Sequence, residues 1–204
     1  MARRVRIDIR DITRIAIFAA IIAVLGIPGA IPAFGGAVPI TAQTLGVMLA
    51  GAVLGSWRGA AAVLTFLALV FVGLPLLSGG RGGVGVFAGA TVGYLIGWVF
   101  GAFVVGAIAQ AGTRRPTWWW TALGCFVGGI LVVYTFGIPL QSLITQLPLA
   151  ETVLASAVFL PGDILKVVIA TVITMALWRA YPRAFRREAR GGEAVPATAP
   201  PVLR

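Results

Sequence analysis

Long apolar runs alternate along the chain with short polar or glycine-rich breaks. The first run extends from Arg14 to about Phe34, and the prolines in its later part predict a kink or a loosened outer end. A helix needs about 20 such residues to cross a bilayer. The pattern therefore predicts six transmembrane helices, the second of them short, at about 14–34, 41–55, 59–77, 85–112, 118–137 and 162–179.

The segment 138–160 breaks this pattern with prolines, glutamines and Glu151. We expect an irregular connection there, with room for a short helix at 150–159. The last residues of the chain are basic and rich in proline and alanine, which is typical of disorder. The predicted parts are a basic cytoplasmic lead at 1–13, a six-helix transmembrane substrate-binding domain at 14–180 and a basic, disordered cytoplasmic tail at 181–204.

Composition places the chain among polytopic membrane proteins. Hydrophobic residues make up 59% of the chain, and its mean hydropathy is +1.01. This composition implies more apolar surface than a soluble domain of this size can bury. The net charge of +10 would suit a nucleic-acid partner, but most arginines stand at the ends of apolar runs, where the bilayer explains them. With six spans, all of the 16 basic residues except Arg81 and Lys166 lie on the side of the termini. We therefore predict an all-α membrane protein with both termini cytoplasmic and with no nucleic-acid partner.

Several kinds of chemistry are not expected. The single cysteine, Cys125, excludes an intramolecular disulfide, and a chain without histidine is a poor zinc binder. The sequence shows no nucleophile–base pair, phosphate-binding loop or cluster of metal ligands. We therefore predict neither an enzyme nor an intrinsic ATPase, and no cofactor or metal.

The stretch from Phe159 to Val168 carries the two charges that lie within an apolar run, Asp163 and Lys166. Three residues apart, they share one face of a helix. An ionisable residue at membrane depth costs at least ~2.5 kcal/mol on insertion scales, which makes it a candidate for function. The alternative is structural, since Asp163 follows Pro161-Gly162 and is well placed to cap the helix, with Lys166 as its counter-ion.

Other outer segments supply polar groups that would surround this pair. Together they suit a small, flat, mostly apolar molecule with a carboxylate at one end and amide-like groups at the other. A cation, either Lys166 or Arg81, would take the carboxylate, and Asp163 would accept N–H groups. The remaining candidates are Thr41, Gln43 and Thr44, the backbone of the glycine loop at Gly82, and Thr91 and Tyr94.

Small residues recur at helical spacing in two runs. In the fourth run glycines repeat every four residues from Gly85 to Gly101, which predicts close helix packing or, at the outer end, room for a ligand. In the first run Ala16, Ala20 and Ala23 follow a similar pattern. They indicate packing within the bundle or docking on a partner membrane protein.

Four motifs in order resemble the BioY family, the biotin-specific S components of energy-coupling-factor (ECF) transporters. They are Val38-Pro-Ile-Thr-Ala-Gln-Thr-Leu, the glycine-rich segment from Gly73 to Val86, Gly89-Ala-Thr-Val-Gly-Tyr-Leu-Ile-Gly and Leu160-Pro-Gly-Asp-Ile-Leu-Lys. The resemblance spans about residues 14–180. Family members often read Gly-Pro-Thr-Gly-Gly-Tyr where this chain has Gly89-Ala-Thr-Val-Gly-Tyr, a difference that affects the edge of the pocket.

The resemblance implies a six-helix S-component bundle in a prokaryotic plasma membrane, with biotin bound near the outer surface under a loop between helices. It implies that Asp163 and Lys166 belong to the ligand site. It also implies an energising module of one transmembrane T component and two cytoplasmic ABC-type ATPases. The expected docking surface for the T component is Ala16, Ala20 and Ala23 on the first helix.

The sequence is also compatible with other functions. The chain could be an S component for another vitamin, a solitary or homo-oligomeric biotin carrier without ATPase partners, or a carrier driven by an ion gradient. A membrane scaffold without a small-molecule pocket belongs to a different class and predicts no stabilisation by a ligand.

Overall fold

The computed structural model describes residues 8–27, 41–111 and 116–181. Every regular element in these ranges is a helix. A 3-10 turn at Val84–Ala88 precedes α4, and a π-helical turn at Val127–Val132 joins α5 to α6. The α-helices are α1 (Ile9–Val24), α2 (Gln43–Leu54), α3 (Ser56–Phe71), α4 (Val92–Ala109), α5 (Trp118–Phe126), α6 (Val133–Thr145), α7 (Leu149–Ala157) and α8 (Leu160–Ala180).

Within the described ranges, three helices are long and apolar enough to cross a membrane. These are α4, α8 and the continuous helix Trp118–Thr145 that α5 and α6 form together. The helices α2 and α3 are apolar but shorter. The prediction of an all-helical protein with several membrane-crossing segments agrees with this architecture.

The first helix begins earlier than predicted. It starts at Ile9 rather than Arg14, because the carboxylate of Asp8 accepts a hydrogen bond from the backbone N–H of Ile9 at 2.7 Å and caps the helix. The apolar run alone hid this start, since the first turn carries the charges of Arg10 and Asp11 and is largely exposed. A kink or loosened end was predicted at 26–32, and α1 already ends at Val24 and passes into a turn at 25–27. The two prolines of that segment lie outside the described residues.

The fifth helix extends beyond Gly137, where the sequence predicts its end. The structure continues it through Pro139 to Thr145. Proline costs one backbone hydrogen bond inside a helix, a loss that packed transmembrane helices tolerate. Gln141, interpreted as part of an irregular connection, is buried in this helix and accepts a hydrogen bond from Tyr94 at 2.8 Å. The short helix expected near 150–159 is confirmed as α7.

The centre of the bundle is formed by α2 and α4. The helix α2 contacts α1, α3, α4 and α8, while α4 contacts α2, α3 and the helix Trp118–Thr145. Glycines allow these backbones to meet closely. A Cβ atom at Gly51 would lie 2.5 Å from the carbonyl oxygen of Ala102, so α2 and α4 touch backbone to backbone.

The glycine stripe of the fourth run divides into two parts. Gly93, Gly97 and Gly101 lie in α4 and face the helix Trp118–Thr145, where a Cβ at Gly97 would lie 2.9 Å from the Cα of Val133. The helix-packing interpretation is therefore confirmed for these three. Gly85 and Gly89 precede α4, which begins at Val92 instead of Gly85, and open space surrounds the Cα of Gly85.

The two ends of the bundle differ in chemistry. Near the starts of α1 and α3, Arg58 holds the carboxylate of Asp11 through two contacts, Nε–Oδ1 at 2.9 Å and Nη2–Oδ2 at 3.2 Å. The starts of α2, α4 and α8 meet at the other end, where Gln43, Thr91 and Asp163 line a common pocket. The bundle thus carries its predicted site at the end away from the Asp11–Arg58 pair.

Candidate ligand-binding site

A pocket opens between the first turns of α2, α4 and α8, the second half of the helix Trp118–Thr145 and the loop after α3. It contains about 640 Å³ of atom-free space, including the space at its mouth. The structure brings eight of the predicted site residues together here, namely Thr41, Gln43, Thr44, Arg81, Thr91, Tyr94, Asp163 and Lys166.

A buried charged cluster forms one side of this pocket. The Nζ of Lys166 lies 2.9 Å from Oδ1 of Asp163 and donates a second hydrogen bond to Oγ1 of Thr44, also at 2.9 Å. The hydroxyl of Tyr134 donates to Oδ2 of Asp163 at 2.7 Å. The side chains of Lys166 and Asp163 are only 14% and 7% exposed. Charges this deeply buried are retained where they are paired and hydrogen-bonded.

The capping alternative for Asp163 does not describe this geometry. The helix α8 begins at Leu160, and no side chain caps its first turn. Asp163 lies in this first turn, where the helix dipole favours a negative charge, but both of its oxygens accept hydrogen bonds from the side chains of Lys166 and Tyr134. The carboxylate is therefore part of the pocket wall.

The cluster retains hydrogen-bonding capacity for a ligand. An ammonium group has three N–H donors, of which Lys166 uses two on Asp163 and Thr44. A carboxylate has about four acceptor positions, and those of Asp163 are only partly used. Because the positive and negative charges balance, this side of the pocket suits a neutral group that carries both N–H donors and a carbonyl.

Arg81 supplies a cation at a separate position on the pocket wall. A tight turn fixes its backbone, with the N–H and carbonyl of Leu77 bonded to the carbonyl and N–H of Arg81 at 3.0 and 3.2 Å. Gly79 and Gly80 have φ angles of +80° and +70°, which glycine adopts without strain. The Nε of Arg81 donates to the carbonyl of Ser78 at 3.3 Å, and no carboxylate of the described residues pairs with the guanidinium. This arginine is therefore suited to an anionic group.

Apolar and aromatic side chains complete the walls. The residues that the sequence interpretation missed here are Leu77, Leu95, Trp98, Gly129, Val133, Tyr134 and Phe159. Most of them sit inside apolar runs and look like ordinary core residues. Tyr134 had a usable signal, because a tyrosine in the middle of an apolar run needs a partner for its hydroxyl.

Gln43 lies in the pocket wall, but its amide group is already bonded to the backbone. Its Nε2 donates to the carbonyl oxygens of Ile22 at 3.2 Å and Leu76 at 3.0 Å, and its Oε1 accepts from the N–H of Ser78 at 3.1 Å. The side chain is fully buried. Gln43 therefore ties α1, α2 and the loop after α3 together and shapes the pocket from behind.

Tyr94 has a comparable role. Its hydroxyl lies 2.8 Å from Oε1 of Gln141 and 3.0 Å from Oγ of Ser156, which connects α4 to α6 and α7. Its ring lines the pocket and meets the ring of Tyr134 edge to face, with centroids 6.3 Å apart. The ring is thus available to a ligand while the hydroxyl holds helices together.

Two further predictions concern backbone and small residues. Gly82 does not line this pocket but lies in an adjoining groove, with its Cα against the backbone of Leu74. On α1, Ala16 and Ala20 are exposed and Ala23 is half-buried against the core. The first two therefore lie on an outer face of the bundle.

Known proteins share this sequence and this fold. Residues 1–183 match the BioY family. The chain is 45% identical over 180 residues to the biotin transporter BioY of Rhizobium etli, covering 85% of this chain and 95% of that protein. It is 46% identical over 184 residues to the biotin transporter BioY of Rhodobacter capsulatus, covering 86% and 96%.

The similarity extends to three dimensions. The fold matches the crystal structure of the S component for biotin from an ECF-type ABC transporter with a TM-score of 0.80 and 33% identity, over 87% of this chain and 96% of that one. Sequence and fold thus agree over most of the chain. The chain belongs to the BioY family.

Proposed function

We propose that the chain captures biotin in the pocket around Asp163 and Lys166 and delivers it through an ECF complex. The observation that carries this proposal is the buried, charge-balanced cluster of Asp163, Lys166, Tyr134 and Thr44 in an otherwise largely apolar pocket. Biotin has matching chemistry, with a ureido ring that offers N–H groups and a carbonyl, an apolar thioether ring and a carboxylate tail. The relatives in Rhizobium etli and Rhodobacter capsulatus bear the name of biotin transporters.

The charges of the pocket favour one orientation of the ligand. The ureido ring contacts the balanced cluster, where Asp163 accepts its N–H groups and the remaining N–H of Lys166 reaches its carbonyl. The rings and the aliphatic tail lie against Leu95, Trp98 and Tyr94. The carboxylate is directed to Arg81, because no acidic group of the described residues neutralises that guanidinium.

This arrangement also accounts for selectivity. A buried donor or acceptor that is left without a partner costs about 1–3 kcal/mol. A vitamin without a ureido-like group would leave the free positions of Asp163 and Lys166 unmatched on binding. The pocket therefore discriminates through its polar cluster, while the aromatic walls add affinity for many flat ligands.

Isothermal titration of the detergent-purified full-length chain with biotin, after bound ligand is stripped, tests the proposal. We expect saturable binding near one biotin per chain and no comparable binding of other vitamins. Well-folded protein that gives no heat and no thermal shift with biotin overturns the assignment. Saturable binding of a different vitamin instead identifies an S component of another specificity.

The same proposal includes the partners and the membrane topology. The exposed Ala16 and Ala20 support docking of α1 on a T component, which works with two ABC-type ATPases that hydrolyse ATP for the complex. In this proposal six helices span a prokaryotic plasma membrane, namely α1, α2, α3, α4, Trp118–Thr145 and α8. The termini are cytoplasmic and the pocket faces outward. If a tagged chain does not co-purify with any T component or ATPase from its own host, the proposed partners are wrong.

A further inference from the structure

A second, shallower groove adjoins the pocket. The two cavities share the lining residues Arg81 and Thr91, so they adjoin at those residues. The groove contains about 870 Å³ of atom-free space, including open solvent. Its other lining residues are small, namely Gly80, Gly82, Gly85, Val86, Gly89 and Ala90.

The floor of the groove has a fixed shape and free space above it. The N–H of Gly83 donates to the carbonyl of Val70 at 2.8 Å, which anchors the loop to the end of α3. The rings of Phe71 and Phe87 pack edge to face with centroids 5.6 Å apart, which holds the 3-10 turn. A Cβ placed on Gly85 would meet no atom within 4 Å. A chain of small cross-section therefore has room to lie there.

The junction between the two cavities carries unused polar groups. Thr91 is only 8% exposed, its hydroxyl does not cap α4, and no side chain or backbone group of the described residues bonds to that hydroxyl. Beside it, the guanidinium of Arg81 has its Nε on Ser78 and no carboxylate partner within the described ranges. A hydroxyl both donates and accepts. Together the two residues complement a carboxylate or a secondary amide.

We propose that this groove binds the part of a ligand that extends beyond the biotin carboxyl group, so that the chain also takes amides of biotin with an amino acid. This inference rests on the proposed function, in which the carboxyl end of biotin reaches Arg81. In such an amide the carbonyl accepts from Arg81, the N–H donates to Thr91, and the amino-acid part lies over Gly85 and Gly89. The representative ligand is Nε-biotinyl-lysine.

The test compares biotin with Nε-biotinyl-lysine by calorimetry on the full-length chain and on variants that fill the groove. Gly85→Phe places a ring in the free space above the floor. Val84→Phe is the matched control, because it adds the same ring to the neighbouring, exposed position of the same turn, outside the groove. Gly85→Ala fills little of the groove and should give a Kd for Nε-biotinyl-lysine between those of the wild type and Gly85→Phe.

We expect the wild-type chain to bind Nε-biotinyl-lysine with a Kd within about a hundredfold of that for biotin. Gly85→Phe should weaken Nε-biotinyl-lysine about tenfold more than biotin, and Val84→Phe should affect the two ligands equally. If wild type binds biotin but binds the amide more weakly than this limit, the inference fails and the proposed function stands. Equal losses of both ligands in Gly85→Phe also overturn it. If neither ligand binds to folded wild-type protein, the proposed function fails first.

Discussion

Replacing the buried charges of Asp163 and Lys166, singly and together, separates their structural role from ligand binding. In the Lys166→Met variant, Asp163 keeps only the hydroxyl of Tyr134 as a partner and remains almost fully buried. Breaking a buried pair by removing one partner costs about 3–5 kcal/mol, because the other charge is left unpaired. The double variant, Asp163→Asn with Lys166→Met, has no unpaired charge. We therefore expect it to be more stable than Lys166→Met alone.

Across these variants, the affinity for biotin should not change in parallel with the stability of the fold. Hydrogen bonds to charged groups contribute about 1.5–3 kcal/mol each, and 1.4 kcal/mol corresponds to a factor of ten in Kd. Each single variant should therefore bind biotin at least about tenfold more weakly than wild type. The double variant removes both ligand contacts, so its affinity should be no better than that of either single variant, although its stability recovers.

Two assays on the same detergent preparations give the comparison. Thermal unfolding followed by tryptophan fluorescence, without biotin, ranks stability, and calorimetry gives the Kd for biotin. If the double variant recovers biotin affinity together with stability, the pair acts only through the fold and the ligand assignment is wrong. Wild-type affinity in well-folded Asp163→Asn and Lys166→Met proteins refutes it as well.

Two further predictions follow from the same geometry. Arg81→Gln should weaken biotin about tenfold, since the charge-assisted bond is lost. It should weaken neutral biotinamide clearly less in the same titration, because the glutamine amide can still donate to the amide carbonyl. An equal effect on both ligands argues against a carboxylate at Arg81. Gly137→Ala should destabilise the chain by about 1–3 kcal/mol, because the new Cβ meets the ring of Tyr94. The control Gly162→Ala, with no atom within 4 Å of its Cβ, should unfold at or above the wild-type temperature, and equal melting of the two alanine variants contradicts this packing.

The polar positions of the site were predictable because apolar runs give them contrast. A charge such as Asp163 or Lys166 is conspicuous in a membrane segment. Its insertion into the membrane costs free energy, so its presence there indicates a function. Thr41 and Thr91 were found because they lie near the starts of predicted helices at the same end as that pair. The topology of alternating helices then brings these residues together without any knowledge of their side-chain contacts.

The apolar half of the pocket was not predictable in the same way. Trp98 and Val133 have the same residue types and surroundings in sequence as core or lipid-facing positions, and only packing decides which of them faces a cavity. Helix ends were missed for a related reason. Pro139 disfavours a helix by local propensity, yet the helix continues to Thr145. Packing against α4, which includes the bond between Tyr94 and Gln141, is not visible in the local sequence.

The first residues of α2 explain why residue type alone does not assign a role. Gln43 and Thr44 are adjacent and both polar, but successive positions on a helix point about 100° apart. Gln43 consequently turns to Ile22 and the loop after α3, while Thr44 meets Lys166. One residue fixes the loop that carries Arg81, and the next contacts the charged cluster. Both polar regions of the pocket therefore depend on the position of a single helix start. A shift of α2 changes the distance between the two groups that we propose hold the ends of the ligand.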